Sequence, residues 1–241
     1  MYEQFEYMQK LNQVLETIYT RDKDVIARAA ELFAENIRTD HVIHTFGTGH
    51  SHMVGIELFA RAGGLGNIDA MLDPDTITSN GAQRSCALEK LTGLADIIYD
   101  QYNIVPGDLM IITSNSGRNA VPVELALRCK KEGIYTIAIT NVEQSSHTTS
   151  RQASGKRLFE CVDMVIDNCC PKGDALMTIG NLKTGAATSI ASMFIVDTIV
   201  TEAIKQLTAE GFKVPVFQSQ NIDGFDNDAI YAKYAGRIKQ Y

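Results

Sequence analysis

The sequence predicts an α/β fold built on a parallel sheet, and three observations carry that reading. Runs such as Leu109-Met110-Ile111-Ile112 and Ile134-Tyr135-Thr136-Ile137-Ala138-Ile139 are apolar or β-branched almost throughout, as suits strands covered on both faces. Such runs break into polar loops and then into helical periodicity, so a strand, loop and helix unit recurs. No stretch of linker composition interrupts the 241 residues, which predicts one domain spanning 1–241.

The unit from Asp108 to Gly133 is the clearest. Pro106-Gly107 turns the chain into the strand, and Ser114-Asn115-Ser116-Gly117-Arg118-Asn119 forms the loop. Asn119 stands where a helix cap belongs, and Pro122 falls in the first turn, where its missing N–H costs nothing. Val121, Leu125 and Cys129 then form one apolar stripe, and Gly133 closes the helix. A helix N-terminus carries unpaired N–H groups and about half a positive charge. Ser114, Ser116 and Asn119 add side-chain donors at the same point, which predicts a phosphate cradle.

The first unit repeats this design. Val42 to Phe46 is a strand, Gly47-Thr48-Gly49-His50-Ser51 a tight loop, and His52 to Ala62 a helix ended by Gly63-Gly64. A dinucleotide fingerprint would need a third glycine where His52 stands and an acidic strand end downstream, so no nicotinamide cofactor is expected. His44, His50 and His52 alternate, yet no convincing fourth ligand is near, so no metal is expected either. Glu57 is the carboxylate on this otherwise apolar helix. It reads either as an i, i+4 partner of Arg61 or as a desolvated base beside the loops. His50 and His52 read first as hydrogen-bonding loop residues.

Around these units the elements follow in order. Two helices, about 5–19 and 24–37, precede the sheet with apolar stripes that fit a lid or a dimer contact. A short strand near Ile68 to Leu72 and helices near Gln83 to Leu91 and Ala95 to Gln101 fill the interval before the central unit. Met164-Val165-Ile166 is a further strand. Asn141 to Arg157 is a polar loop or irregular helix whose Arg151, Lys156 and Arg157 could meet an anionic ligand. A long helix runs from Thr184 to about Leu207, an extended tail covers 215–224, and Asp228 to Lys239 makes the last helix.

Composition narrows the function. The chain is 45% hydrophobic and 21% charged, which is ordinary for a globular protein. With 22 Lys plus Arg against 29 Asp plus Glu, the formal charge of −7 leaves no broad basic surface for nucleic acid. No apolar run approaches the roughly 18 residues that span a bilayer, and the start, Met1 to Glu6, is acidic and polar rather than signal-like. Five cysteines without a framework fit reduced thiols, and a cytoplasmic protein is expected.

The two loops, Gly47 to Ser51 and Ser114 to Asn119, resemble the phosphosugar-binding loops of the sugar isomerase (SIS) domain family. The likeness covers about 30–210, leaving an N-terminal helical extension and a C-terminal tail and helix; the whole chain resembles stand-alone bacterial SIS proteins. It implies a three-layer α/β/α sandwich around a five-stranded parallel sheet, flavodoxin-like or Rossmann-like, in a homodimer or homotetramer. It also implies a phosphorylated sugar held by Gly49, Ser51, Ser114, Ser116, Gly117 and Asn119. In phosphoheptose isomerase, a related design, a glutamate on the helix after the first loop is the base and a histidine assists. Glu57 lies on that helix about a turn earlier, and Asn119 stands where a hydroxyl residue is common.

The leading expectation is an aldose–ketose isomerase working through an enediolate, with Glu57 as base, His52 or His147 assisting, and no cofactor. A non-catalytic phosphosugar sensor acting on a protein partner and an etherase acting on an amino-sugar phosphate are the rivals.

Overall fold

A computed structural model describes residues 5–241. Met1 to Gln4, part of the acidic start read as unlike a signal, lie outside the described residues. The chain begins with α1 (Glu6–Arg38), followed by β1 (Ile43–Gly47), a single 3-10 turn at His50–His52 and α2 (Met53–Leu58). Next come β2 (Ile68–Ala70), α3 (Ala82–Leu88), α4 (Leu94–Tyr99), β3 (Leu109–Thr113), α5 (Ala120–Glu132) and β4 (Tyr135–Thr140). The remainder is α6 (Val142–Ser146), β5 (Met164–Asp167), β6 (Met177–Ile179), β7 (Leu182–Thr184), α7 (Thr188–Ala209) and α8 (Asp228–Tyr234).

Five strands form one parallel sheet in the order β2-β1-β3-β4-β5. Side chains alternate across it, as strand geometry requires. Leu109, Ile111, Ile137 and Ile139 pack on the α1 and α7 side, while Met110, Ile112 and Ala138 pack on the α4 and α5 side. The result is the expected three-layer sandwich, whose middle layer accounts for the unbroken apolar runs. The order reverses between β1 and β3, and in such sheets the crevice for a ligand opens at the carboxyl ends flanking that reversal. Both Ser loops leave the sheet there, one after β1 and one after β3.

Several boundaries differ from the sequence reading. The two N-terminal helices are one helix of 33 residues. The charged run Arg21-Asp22-Lys23-Asp24 has no glycine or proline to break it, and tertiary partners hold it: Asp22 accepts the Asp167 N–H at 2.7 Å, and Arg21 pairs with Asp167 at 3.3 Å. The helix after the first loop stops at Leu58 instead of Ala62. Residues beyond it are drawn into pairing with the tail, with Gly63 N–H donating to Phe217 O at 2.8 Å and Gly66 N–H to Pro215 O at 2.7 Å. The long helix begins at Thr188, not Thr184, because Leu182–Thr184 is the second strand of a small antiparallel hairpin. Its turn, Gly180-Asn181, was a readable signal, with Gly180 at φ +62°.

Candidate functional site

The first loop closes tightly over itself. A side chain at Gly47 would put its Cβ 2.5 Å from the Ser51 carbonyl carbon and oxygen, so only glycine lets the turn form. His52 is buried and its Nδ1 bonds to the Gly49 carbonyl, which ties the loop to the turn that follows. Ser51 and His50 are left facing a cavity of about 280 Å³.

The second loop is held just as firmly. Ser114 Oγ accepts the Gly117 N–H at 3.2 Å, and Gly117 adopts φ +56° with no room for a side chain against Ser145 and Thr140. The Gly117 carbonyl accepts the Leu158 N–H at 2.8 Å, and the Arg118 carbonyl accepts the Arg151 N–H at 2.7 Å. Both carbonyls are thus turned into the 147–158 segment. Turning acceptors away leaves the N–H side of a loop free to face an anion. Asn119 occupies the cap position of α5, but its side chain makes no capping bond. Instead, Val121 N–H donates to the Glu89 carbonyl at 3.1 Å, and Pro122 has no N–H, so the helix terminus offers fewer free donors than its sequence suggested.

Gly49, Ser51, Ser114, Ser116 and Asn119 line one cavity at the carboxyl edge of the sheet, whereas Gly117, expected with them, is not in its lining and has its N–H taken by Ser114 Oγ. The opposite wall is a chain of amides. Asn168 Nδ2 donates to Asn115 Oδ1 at 3.0 Å, Asn115 Nδ2 to Gln144 Oε1 at 3.4 Å, and Gly173 N–H to the same Gln144 oxygen at 2.9 Å. These bonds occupy the oxygens of Asn115 and Gln144 and leave Gln144 with amide donors to offer.

Two carboxylates face this space. Asp174 accepts the N–H groups of Ala187 and Thr188 at 2.8 and 2.7 Å and the Thr188 hydroxyl at 2.8 Å. It is fully committed to capping α7. Glu89, half-buried just past α3, accepts one side-chain bond, from Thr48 Oγ1 at 2.8 Å. No lysine or arginine is among the lining residues.

The expected catalytic residues do not join them. Glu57 lines a separate cavity with Arg61 and Asp197, and is ion-paired to Arg61. The plain i, i+4 reading therefore describes its surroundings. His147 is exposed after α6, its Nδ1 at 2.8 Å from the Glu143 carbonyl, and does not line the cavity. His52 is spent on the Gly49 carbonyl. Sequence reasoning missed Glu89, which sits in a weakly patterned stretch and reaches Thr48 across 41 positions. It also passed over His50 as a site residue, although His50 lines the cavity.

The three alternating histidines are likewise dispersed. His44 is fully buried between Asp108, at 3.1 Å from Nε2, and Asp69, at 3.2 Å from Nδ1, at the start of the strands. Burial pushes the thiols of Cys129, Cys169 and Cys170 up to about 12, away from the reactive thiolate form. Among the described residues, no helix is long and apolar enough to cross a membrane.

Comparison with known proteins agrees with this architecture. The chain is 38% identical over 237 residues to a UPF0309 protein of Geobacillus kaustophilus, covering 97% of this chain and 94% of that one. It is 38% identical over 230 residues to a UPF0309 protein of Listeria monocytogenes, covering 94% and 93%. Its fold is similar to a phosphoheptose isomerase from Francisella tularensis, with a TM-score of 0.53 at 15% identity over 83% of this chain and 95% of that one. It is similar as well to the Vibrio vulnificus NanR protein complexed with ManNAc-6P, with a TM-score of 0.51 at 17% identity over 85% and 63%. The model of the SIS domain matches residues 6–141, more than half of the sequence, and the chain belongs to the SIS domain family.

Proposed function

We propose that this protein binds a phosphorylated sugar at the carboxyl edge of its sheet and interconverts its aldose and ketose forms. The observation that carries the reading is the pairing, in one cavity, of two Ser loops with a carboxylate that has no capping duty, Glu89. Ser114, Ser116 and the N–H side of the second loop hold the phosphate, which fixes the sugar for attack. Glu89 takes the C2 proton as an enediolate forms and returns it at C1, the proton of the C2 hydroxyl passes to O1 so that C2 becomes the carbonyl, and the Gln144 amide and His50 offer hydrogen bonds to the two oxygens. The change is redox-neutral and needs no cofactor.

Glu89 replaces Glu57 as the proposed base because Glu57 lies in another cavity, held by Arg61. The etherase reading shares the phosphate loops and differs in its product, since loss of a lactyl group from an amino-sugar phosphate would release lactate. The sensor reading differs from the isomerase only in chemistry, so one experiment separates them. In deuterated water, proton nuclear magnetic resonance of the best-binding aldose phosphate should show C2 exchange with the native protein. Glu89→Gln should retain binding and lose exchange about a hundred- to ten-thousandfold, whereas Glu57→Gln should exchange normally. Tight binding by the native protein without exchange or isomer formation would leave the sensor reading standing.

A further inference from the structure

The polar segment that follows β4 carries three basic residues, and one of them reaches the cradle. Arg151 Nη1 donates to Asn119 Oδ1 at 2.8 Å, 32 positions away, and the Arg151 main-chain N–H donates to the Arg118 carbonyl at 2.7 Å. The segment itself is braced: Arg118 Nη2 donates to Thr149 Oγ1 at 2.9 Å, Ser150 Oγ to the Lys156 carbonyl at 2.7 Å, and Arg157 Nη1 to the Ser146 carbonyl at 3.1 Å. It is a strap clamped along the outside of the second loop rather than a free surface loop.

A guanidinium has donors and no acceptor, so the Asn119 atom facing Arg151 is necessarily its carbonyl oxygen. The amide nitrogen of Asn119 is thereby turned the other way. Asn119 is 6% exposed and lines the cavity, and among the described residues no acceptor within the chain meets that nitrogen. Without Arg151 the carboxamide could flip and present oxygen to a phosphate, replacing an attraction with a repulsion. Asn differs from a hydroxyl in this respect: a hydroxyl rotates to suit an anion, whereas an amide must be held with the correct end inward.

We propose that Arg151 is a positioning residue of the anion cradle, which turns the Asn119 carboxamide so that its amino group faces an anionic ligand. This rests on the reading of the cavity as a phosphosugar site. An amino group facing inward makes a stronger, charge-assisted bond to an oxyanion than to a neutral hydroxyl, and so favours the phosphorylated sugar over the free one.

The test uses the full-length native protein and inorganic phosphate as probe, followed by isothermal calorimetry and phosphorus nuclear magnetic resonance, with thermal unfolding run alongside. Arg151→Ala should weaken phosphate binding about tenfold, the loss of about one charge-assisted hydrogen bond, at an unchanged unfolding midpoint. Arg151→Lys should restore most of it. On an Asn119→Ala background, Arg151→Ala should cost less than about twofold, since the group it positions is gone. Asn119→Asp keeps an oxygen for Arg151 but puts a second oxygen where the amino group was, and should remain folded while losing phosphate binding. That variant keeps the proposal decidable should Arg151→Ala fail to fold. Additive losses in the double variant, or phosphate binding by Asn119→Asp at the native level, would overturn the role of Arg151 and leave the cavity assignment intact. A native protein that binds neither phosphate nor any sugar phosphate would overturn both.

Discussion

Ser116 shows how a common residue type becomes a binding group. Ser114 is tied to the Gly117 N–H, whereas Ser116 lines the cavity and, among the described residues, its hydroxyl meets no hydrogen-bond partner. We expect Ser116→Ala to weaken sugar-phosphate binding about tenfold in calorimetry, and the matching unphosphorylated sugars not to bind. Equal affinity for a sugar and its phosphate would refute that. His44 makes a second residue-level prediction. Its burial disfavours the charged imidazole, yet the bond to Asp108 and the Asp69 carboxylate 3.2 Å from Nδ1 outweigh this and raise its pKa above 6.5. Asp108 is desolvated too, but His44 and the N–H groups of Val105 and Val42 bring its pKa below 3.8. A raised histidine contributes stability in full below its unfolded pKa and loses it as pH rises through the folded value. A lowered carboxylate contributes in full above its unfolded pKa and loses it as pH falls through the folded value. The pair therefore supports the fold most between 3.8 and 6.5. We expect the thermal midpoint of the native protein to fall with rising pH above that window, and His44→Gln to flatten the profile. Parallel profiles for the two proteins would contradict the assignment.

Among the elements, the two loops depend on glycines for opposite reasons. Gly47 admits the main chain of the turn, since its Cβ would meet the Ser51 backbone at 2.5 Å. Gly117 has φ +56° and would also meet Ser145 Oγ at 2.8 Å and Thr140 Oγ1 at 3.1 Å. We expect Gly47→Ala to cost about 1–3 kcal/mol in urea unfolding and to abolish phosphate binding, because backbone must move rather than a side chain. Native-like stability with native-like binding would show that the turn can relax. The C-terminal strap is the other element with a structural task. Residues 215–217 pair antiparallel with residues 63–66, just ahead of the edge strand β2, Gln240 Nε2 donates to Ala70 O at 2.9 Å, and the rings of Phe217, Tyr231 and Tyr241 pack on one another. Covering an edge in this way blocks pairing with other chains.

For the molecule as a whole, the uncovered apolar surface points to self-association. The hairpin of β6 and β7 leaves Ile179 and Leu182 exposed at 59% and 66%, and Phe5 and Met8 at the start of α1 at 82% and 47%. Tyr7 joins the start of α1 to the chain just after the hairpin by donating to the Ala186 carbonyl at 2.6 Å. An isolated two-stranded hairpin is marginal in water and gains from a partner. The same hairpin joins Asp174 to Thr188, which both line the cavity, so a partner seated there would abut the site. We expect a homodimer or larger assembly in sedimentation at micromolar concentration, and a shift to monomer on combining Ile179→Lys with Leu182→Lys. A native monomer under those conditions would dispose of this expectation.

The five strands of the parallel sheet, the two Ser loops and the parallel architecture were legible in the sequence because each is written in neighbouring residues. The uncapped charged run in α1 and the Gly180-Asn181 turn were legible too, though the first was read as a break and the second was passed over. What the local pattern did not contain is which carboxylate enters the cavity. Glu57 has the right neighbours in sequence, but in space it lines a separate cavity, where Arg61 pairs with it. Glu89 has no local signature, and packing of α3 against the first loop and the start of α5 brings it to Thr48. Arg151 likewise finds Asn119 only through the strap. Short-range periodicity and turn chemistry specify elements, whereas hydrogen bonds spanning 41 and 32 positions exist only once the sheet has set the distances between loops.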